Sequence, residues 1–374
     1  MKYFVTGVLF MLLGSGCGGE GGDGTAAGDL PALPVDTLQV SLEIGDELGD
    51  STETFGAIAD VMFDDEGNIL VLDQVEAALK VYTPEGGYVR HAARRGSGPG
   101  ELGMPWDMFA FPDGRLMVMD PMKQGFVVFD DSLEFVEEIK LWTQNPPFFG
   151  TAVSQDRFAA YKIDTDMAGN NLVTRRTVAV YSYGEEEWDQ VLWQDSIVTS
   201  MNEVMENPSL LIRDLIDPLS IASDGSGEIF FSLKDGEEYT VTGWDISGEE
   251  ILSISMDLSP VEKTPEEIAA ESLYVSNYIG RMSGGGGFQF EFQPDPFKDM
   301  VTDLDTGPDG NLWVRRGTMN TPFFDIFDPA SGELLHHAVF PADGWSWKTE
   351  VSERGIMAWE EDPELGYQKL YVLE

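Results

Sequence analysis

The sequence predicts an all-β protein, and three observations lead to that prediction. Short apolar stretches with alternating polar residues recur through most of the 374-residue chain, each followed by a second dense run of strand-forming residues. Asp, Asn and Gly turns, such as those at 64–68 and 112–114, separate the runs. The two clearest copies are offset by about 48 residues, a spacing typical of repeated sheet units.

The repeated unit is visible six times. The best copies span residues 61–92 and 108–139. Weaker copies follow at 152–193, 220–256, 300–340 and 349–374. One four-stranded sheet leaves apolar residues on both faces, whereas sheets packed radially and closed into a ring bury both faces. We therefore predict a six-bladed β-propeller of four-stranded antiparallel blades that spans residues 37–374.

Closure of the ring is assigned to the segment Leu38–Ile44, which has strand-like alternation and precedes the first copy. We expect it to pair with the last blade, because that pairing joins the two ends of the chain.

The stretch 94–120 carries a recognisable motif. It reads RRGSGPGELGMPWDMFAFPDGRLMVMD, which resembles the NHL-type repeat, G-x-G-P-G-E followed by Pro and an Asp-x-Gly strand pair. The chain resembles the six-bladed β-propeller lipoproteins of bacterial envelopes over residues 38–374, with the closest match in the first two blades. The resemblance implies the fold and an envelope location, but no biochemical role.

Two segments interrupt the repeats. Within 258–292, Thr264-Pro265-Glu266-Glu267 is a capping box, and the residues after it form an apolar helical stripe. We predict an inserted helix between blades four and five, over one end of the ring, with strand-like residues at 288–292. It is interpreted as a docked decoration, and a lid is the alternative. Residues 196–215 predict a second helix or loop between blades three and four.

The N-terminus predicts export. Lys2, an apolar stretch at 3–13 and small residues at 14–16 precede Cys17, the only cysteine. This resembles a lipobox, with Gly14 where Leu is usual, and implies a lipid on Cys17. Residues 1–17 are thus the signal and lipobox, and the Gly-rich residues 18–36 form a flexible tether. The alternative is an ordinary secretory signal with an incidental cysteine.

The net charge limits the classes of partner that the protein can bind. Asp and Glu number 67 against 22 Lys and Arg, for a net charge of −45, which repels nucleic acid and anionic lipid. Adaptation to salty surroundings explains this charge more simply than a specific cationic partner does.

We expect a monomer in the cell envelope, held at a membrane by the lipid on Cys17, in the outer membrane where the host has one. Its other partner is an unidentified protein or small-molecule ligand.

Catalytic motifs are not found in the sequence, which lacks G-x-S-x-G, H-E-x-x-H and P-loop patterns and has no cysteine pair for zinc. His91, His336 and His337 are interpreted as structural or exposed. The many carboxylates make calcium conceivable as a cofactor. Asp303, Asp305 and Asp309 come nearest to a calcium sequence, but we interpret them as turn residues.

Arginine pairs stand out in so acidic a chain. Arg94 and Arg95 open an inter-blade loop, and Arg315 and Arg316 end a predicted strand. If loops converge on the central channel, these guanidinium groups with Trp106 predict a site for a carboxylate or phosphate ligand. Ion pairs with neighbouring acids are the simpler alternative.

The sequence favours a binding or protein-interaction module without catalysis. A calcium-dependent propeller hydrolase or lactonase is the alternative, and it requires carboxylates and Asn at the central channel, which the sequence does not locate.

Overall fold

A computed structural model of the protein describes residues 33–50, 52–141, 147–185, 187–211, 218–282, 292–342, 346–360 and 367–374. The signal segment with Cys17, most of the tether, and nearly all of the strand expected at 288–292 lie outside the described residues.

The strands form six sheets that follow one another along the chain. The N-terminal strands are β1 (Val35–Thr37) and β2 (Val40–Ile44). Blade 1 contains β3 (Ile58–Phe63), β4 (Ile69–Asp73), β5 (Ala78–Tyr82) and β6 (Tyr88–Ala93). Blade 2 contains β7 (Asp107–Ala110), β8 (Leu116–Asp120), the 3₁₀ turn η1 (Pro121–Lys123), β9 (Gly125–Phe129) and β10 (Phe135–Lys140).

The remaining blades repeat this order. Blade 3 contains β11 (Phe148–Ala152), β12 (Arg157–Ala168), β13 (Asn171–Ser182) and β14 (Trp188–Ser200). Blade 4 contains β15 (Leu219–Ser223), β16 (Glu228–Leu233), β17 (Tyr239–Asp245) and β18 (Glu250–Met256). Blade 5 contains β19 (Val301–Thr306), β20 (Leu312–Arg316), β21 (Phe323–Phe327) and β22 (Leu334–Val339). Blade 6 contains β23 (Trp347–Ser352), β24 (Gly355–Glu360) and β25 (Leu370–Leu373), with β2 as its fourth strand.

The N-terminal strands join the last two blades. β2 pairs antiparallel with β25, so the segment before the first repeat closes the ring, as predicted. β1 pairs parallel with β22 and adds a fifth strand to blade 5. Val35 and Asp36, which the sequence assigns to the tether, are part of β1.

The core consists of layers between neighbouring blades. The middle strands β4, β5, β8, β9, β20 and β21 are buried at every position. Their apolar clusters join blades 1 and 2, blades 2 to 4, blades 4 and 5, blades 5 and 6, and blades 6 and 1. Each of these six strands buries both faces, which explains the nearly continuous apolar runs of β4, β8 and β9.

The recurring acidic turns have a structural role. In the turn between β3 and β4, Asp64 Oδ1 accepts the backbone N–H groups of Glu66 at 2.9 Å and Asn68 at 2.8 Å. Gly67 in this turn has a φ of 83°, a backbone conformation that favours glycine. Asp130, Asp224 and Asp245 accept turn N–H groups in the same way.

Both insertions connect the outermost strand of one blade to the innermost strand of the next. After β14 come α1 (Met201–Glu206) and the 3₁₀ turn η2 (Pro208–Leu211), so the first residues of the predicted second insertion, 196–200, belong to β14. After β18 comes α2 (Pro265–Met282), the helix predicted between blades four and five. Its capping box is formed, because Thr264 N–H donates to Glu267 Oε2 and Glu267 N–H donates to Thr264 Oγ1. No helix in the described ranges is long and apolar enough to cross a bilayer.

Candidate binding channel

The six innermost strands surround a cavity of about 1030 Å³. Its wall includes residues that precede these strands, such as Gly56, and residues that follow them, such as Asp65 and Arg354. The cavity therefore runs along the central channel. Lys263 and Tyr274 of the α2 insertion also line the cavity, at the end where the innermost strands begin. There, Lys298 just before β19 pairs with Glu267 of α2.

Five of the carboxyl groups that line this cavity belong to the innermost strands and are called the acid ring. They lie on the innermost strands of four blades: Asp60 on β3, Asp107 on β7, Asp303 and Asp305 on β19, and Glu350 on β23. Alternate residues of a strand point to the same side, which places both aspartates of β19 in the channel. The five side chains are partly accessible to channel water and are otherwise surrounded by protein.

Two of the aspartates bind the backbone of the next blade. Met108 N–H donates to Asp60 Oδ2 at 2.8 Å, and Gly150 N–H donates to Asp107 Oδ2 at 2.9 Å. An innermost strand has no further strand on its channel side, so its free N–H groups need such acceptors. These carboxylates therefore hold blades 1, 2 and 3 together.

The same arrangement joins blades 5 and 6. Thr349 Oγ1 donates to Asp303 Oδ2 at 2.8 Å, and Val351 N–H donates to Asp305 Oδ2 at 3.1 Å. Glu350 differs from the four aspartates, because its carboxyl group makes no hydrogen bond or ion pair in the part of the chain that the structure describes. Its carboxyl oxygens remain available as acceptors for a ligand.

The acid ring is difficult to ionise fully. Burial, followed by the charge of Asp107, raises the pKa of Asp60 well above its ordinary value. Burial raises the pKa of Asp107 to about 6, although its hydrogen bonds, including one with Asp60, act in the opposite direction. Burial and the neighbouring aspartates likewise raise the pKa values of Asp305 and Glu350. The ring therefore favours binding protons or a positively charged group.

The channel wall also contains a cation from blade 4. Lys234 lines the cavity and donates to Ser220 Oγ at 3.1 Å and to the Thr302 carbonyl oxygen. Its charge lowers the pKa of Asp305, against the larger raising effect of burial. Five further cations line the cavity among the described residues, and acids outnumber cations in the wall by eleven to six. These cations are Lys263, Lys298, Arg315, Lys348 and Arg354.

The structure divides the five residues of the predicted anion site. Trp106 and Arg315 line the cavity. Arg94 and Arg95 are exposed outside it, and Arg95 Nη2 donates to the Val75 carbonyl oxygen at 2.5 Å. Arg316 is 3% exposed within blade 5. The five side chains are therefore not assembled into one site.

Arg316 belongs to a buried ion pair. Its Nε and Nη2 donate to the two carboxylate oxygens of Asp325 at 3.0 and 2.7 Å. Tyr239 of blade 4 donates to the same carboxylate at 3.0 Å, and His337 Nδ1 lies 2.9 Å from it. This geometry supports the ion-pair interpretation for Arg316.

Blade 1 has an ion pair at the matching place, with the charges exchanged. Lys80 on β5 pairs across the sheet with His91, just as Asp325 on β21 pairs with His337. Lys80 Nζ lies 3.5 Å from Asp73 Oδ2 and is fully buried. The two blades thus contain an ion pair at the same position, with the positive and negative residues on exchanged strands.

The G-x-G-P-G-E sequence also has a structural explanation. Gly98 N–H donates to Glu101 Oε2 at 2.7 Å, which folds the Glu101 side chain over the loop. A Cβ atom at Gly96 would lie 1.9 Å from the same oxygen, so a larger residue at this position would displace the Glu101 carboxylate. The motif therefore forms a compact inter-blade loop.

Sequence reasoning missed the acid ring. The sequence predicts turn positions for Asp303 and Asp305, but both lie on β19 and line the channel. Asp309 does occupy a turn, where it accepts the Asn311 N–H at 3.1 Å. The repeats contained a usable signal. One aspartate stands seven residues before the turn glycine in three blades, as the pairs Asp60–Gly67, Asp107–Gly114 and Asp303–Gly310 show.

The placement of the channel carboxylates can be compared with the requirements of a calcium site. Carboxylate oxygens are the ligands that calcium prefers. However, no group of three or more His, Cys, Asp or Glu residues is placed to hold a metal ion in the described ranges. The acid ring therefore has suitable chemistry for calcium without a suitable arrangement.

Comparison with known proteins agrees with the six sheets. The family model DUF5128, a 6-bladed beta-propeller, matches residues 50–187. The protein is a six-bladed β-propeller. No curated protein matches its sequence.

Several solved structures resemble the chain. A calcium-binding regucalcin from Agrobacterium tumefaciens is 11% identical with a TM-score of 0.42, over 91% of this chain and 97% of that chain. A DUF4221 family member from Bacteroides vulgatus is 10% identical with a TM-score of 0.44, over 90% and 98%. Virginiamycin B lyase from Staphylococcus aureus is 13% identical with a TM-score of 0.42, over 90% and 98%.

Proposed function

We propose that this protein is an extracytoplasmic, lipid-anchored propeller that binds a small positively charged ligand in its central channel. The observation that carries the proposal is the acid ring, in which five carboxyl groups face one cavity and Glu350 has no partner among the described residues.

The electrostatics favour an organic cation. Carboxylates that share a site repel one another, and the repulsion grows where protein replaces water. A ligand ammonium group would offset this repulsion and donate up to three hydrogen bonds. The cavity of about 1030 Å³ has room for such a ligand. A calcium-dependent hydrolase remains the alternative, although the described residues do not arrange three acids around one point.

Isothermal titration calorimetry tests the binding proposal. The detergent-solubilised full chain is titrated with hexylamine and, separately, with calcium chloride at constant ionic strength, so that general attraction to the acidic surface is screened. We expect hexylamine to bind, and Glu350→Gln to weaken binding about tenfold or more, as the loss of a charge-assisted hydrogen bond does.

The matched control is Glu85→Gln, which removes one exposed carboxylate outside the cavity wall. It should leave hexylamine binding unchanged. Stoichiometric calcium binding without hexylamine binding would favour the hydrolase instead. Failure of both to bind would contradict the proposal.

The anchor is proposed from the sequence alone. A positive residue, an apolar stretch at 3–13 and small residues precede Cys17, which follows the arrangement of a lipoprotein signal. Mass spectrometry of the mature N-terminus should find a diacylglycerol on Cys17. Cys17→Ser should move the protein out of the membrane fraction, and a Cys17→Ser protein that stays membrane-bound would contradict the anchor.

A further inference from the structure

The acid ring occupies only part of the channel wall. Its carboxyl groups come from blades 5, 6, 1 and 2, which are consecutive once β2 closes the ring. The innermost strands of the other two blades, β11 with the sequence FFGTA and β15 with LSIAS, contain no ionisable residue. Both strands line the cavity. The channel therefore has an acidic side formed by four blades and an uncharged side formed by β11 and β15.

Two charged residues of blades 3 and 4 line the cavity within the described ranges, and both are held by the protein. Lys234 follows β16 and donates to Ser220 Oγ and to the Thr302 carbonyl oxygen. Asp224 lies in the turn after β15, where its Oδ1 accepts the backbone N–H of Ser226 at 2.8 Å. Neither charge belongs to β11 or β15, so the wall that these two strands form stays uncharged.

The uncharged side contains an aromatic residue in an unusual backbone conformation. Phe149 is the extra residue of a bulge in β11, because Phe148 pairs with Tyr161 and Gly150 pairs with the adjacent residue of β12, Ala160. The φ of Phe149 is 51°, in the left-handed region that bulky residues rarely adopt. Phe149 is half-buried and lines the cavity, whereas Phe148 is buried in the core. Bulges redirect side chains next to functional sites, and strained residues concentrate there, which indicates a role for Phe149 in ligand binding.

Phe149 and the unpaired carboxyl group lie on opposite sides of the channel. Each innermost strand contacts the innermost strands of the blades before and after it, so the six strands surround the channel in chain order. Blade 6, which carries Glu350, is three places from blade 3 in either direction. A ligand that contacts both residues must have a cation at one end and an apolar group at the other.

We infer that the channel binds amphiphilic amines, in which an ammonium group and an apolar alkyl or aryl group lie at opposite ends. The ammonium group lies against Glu350 and the acid ring, and the apolar group packs on the uncharged side, where Phe149 and Ile221 line the cavity. Burial of the apolar group favours binding in proportion to the area removed from water, whereas a polar group in its place would lose hydrogen bonds to water. The inference rests on the proposed cation binding and adds the apolar end of the ligand.

Four probes separate the two ends of the ligand. Hexylamine has both ends, and 6-amino-1-hexanol replaces the apolar end with a hydroxyl group. Ethylamine has the cation with little apolar surface, and 1-hexanol has the apolar chain without the cation. Each is titrated into the detergent-solubilised full chain by calorimetry, with a reference titration into detergent. We expect hexylamine to bind about tenfold more tightly than either 6-amino-1-hexanol or ethylamine, and 1-hexanol to bind least.

Variants test whether the apolar end packs on the uncharged side. Phe149→Asn should reduce the preference for hexylamine over 6-amino-1-hexanol to about threefold or less and leave ethylamine affinity unchanged, because asparagine tolerates the left-handed conformation but offers the ligand a polar surface. The matched control is Phe135→Asn, since Phe135 is exposed on β10 outside the cavity wall, and it should leave the preference unchanged. Glu350→Gln should weaken hexylamine and 6-amino-1-hexanol equally. Ile221→Thr keeps a β-branched side chain, adds a hydroxyl group to the same side, and provides a second test if Phe149→Asn does not fold.

The outcomes distinguish the two proposals. Equal affinities for hexylamine and either ethylamine or 6-amino-1-hexanol would overturn the amphiphile inference and leave cation binding standing. A tenfold preference for hexylamine that persists in the Phe149→Asn and Ile221→Thr variants would also overturn the inference, since the uncharged side would then contribute nothing. Absence of binding by every amine would overturn both proposals.

Discussion

Replacing Asp107 by asparagine should stabilise the propeller at alkaline pH and have little effect in acid. The pKa of Asp107 rises from 3.8 to about 6 on folding, with burial as the main cause. The folded state therefore holds this proton more tightly than the unfolded chain. The contribution of Asp107 to the free energy of unfolding is therefore fully present below pH 3.8 and is lost as the pH rises through about 6.

The size of the effect follows from that rise. One pKa unit corresponds to about 1.4 kcal/mol, so ionised Asp107 costs the folded state up to about 3 kcal/mol at pH 8. The asparagine side chain in the Asp107→Asn variant carries no charge and can still accept the Gly150 N–H, which donates to Asp107 at 2.9 Å. The new amide can also donate to Asp60, the hydrogen-bonded neighbour of Asp107.

Urea denaturation followed by circular dichroism measures this difference. At pH 8 the free energy of unfolding of Asp107→Asn should exceed that of the wild type by up to about 3 kcal/mol. At pH 4 the difference should be below about 1 kcal/mol. Glu85→Gln controls for the general repulsion of an acidic protein and should give a much smaller gain at pH 8. A gain of equal size at both pH values, or a less stable Asp107→Asn at pH 8, would refute the reasoning.

Two further predictions concern the framework around the channel. Arg316→Met leaves the fully buried Asp325 without its guanidinium partner. Chemical denaturation should show that the free energy of unfolding falls by about 3–5 kcal/mol. A fall below about 1 kcal/mol would mean that the pair contributes no more than a surface ion pair. Deletion of residues 1–44 removes β2 from blade 6 and should abolish the cooperative thermal transition, whereas deletion of 1–34 keeps both N-terminal strands and should preserve it. Equal melting of the two truncated proteins would show that β2 does not close the ring.

The acid ring shows why the site was harder to predict than the blades. Asp60, Asp107 and Asp303 occupy one position of the repeat, a regularity present in the sequence. Glu350 lies in a weak repeat with no such signal. Its role depends on the closing of blade 6 against blade 1, which places it near acids from the opposite end of the chain.

Arg315 and Arg316 show why the surroundings of single residues could not be predicted from the sequence. They are adjacent in a strand, so their side chains point to opposite sides. One lines the channel and the other is held by Asp325. The repeat pattern predicts the strand, but what each side of the strand contacts depends on the packing of the neighbouring blades.

The sequence by itself determined the six repeats, the closing strand β2, the helix capped by Thr264 and Glu267, and the turn aspartates. All of these depend on local periodicity, capping or hydrogen bonds between residues close in the chain. Only the tertiary structure decided which polar side chains share the channel. The ring brings innermost strands from distant parts of the chain together around one cavity, where burial and mutual repulsion change the chemistry of carboxylates that look ordinary in sequence.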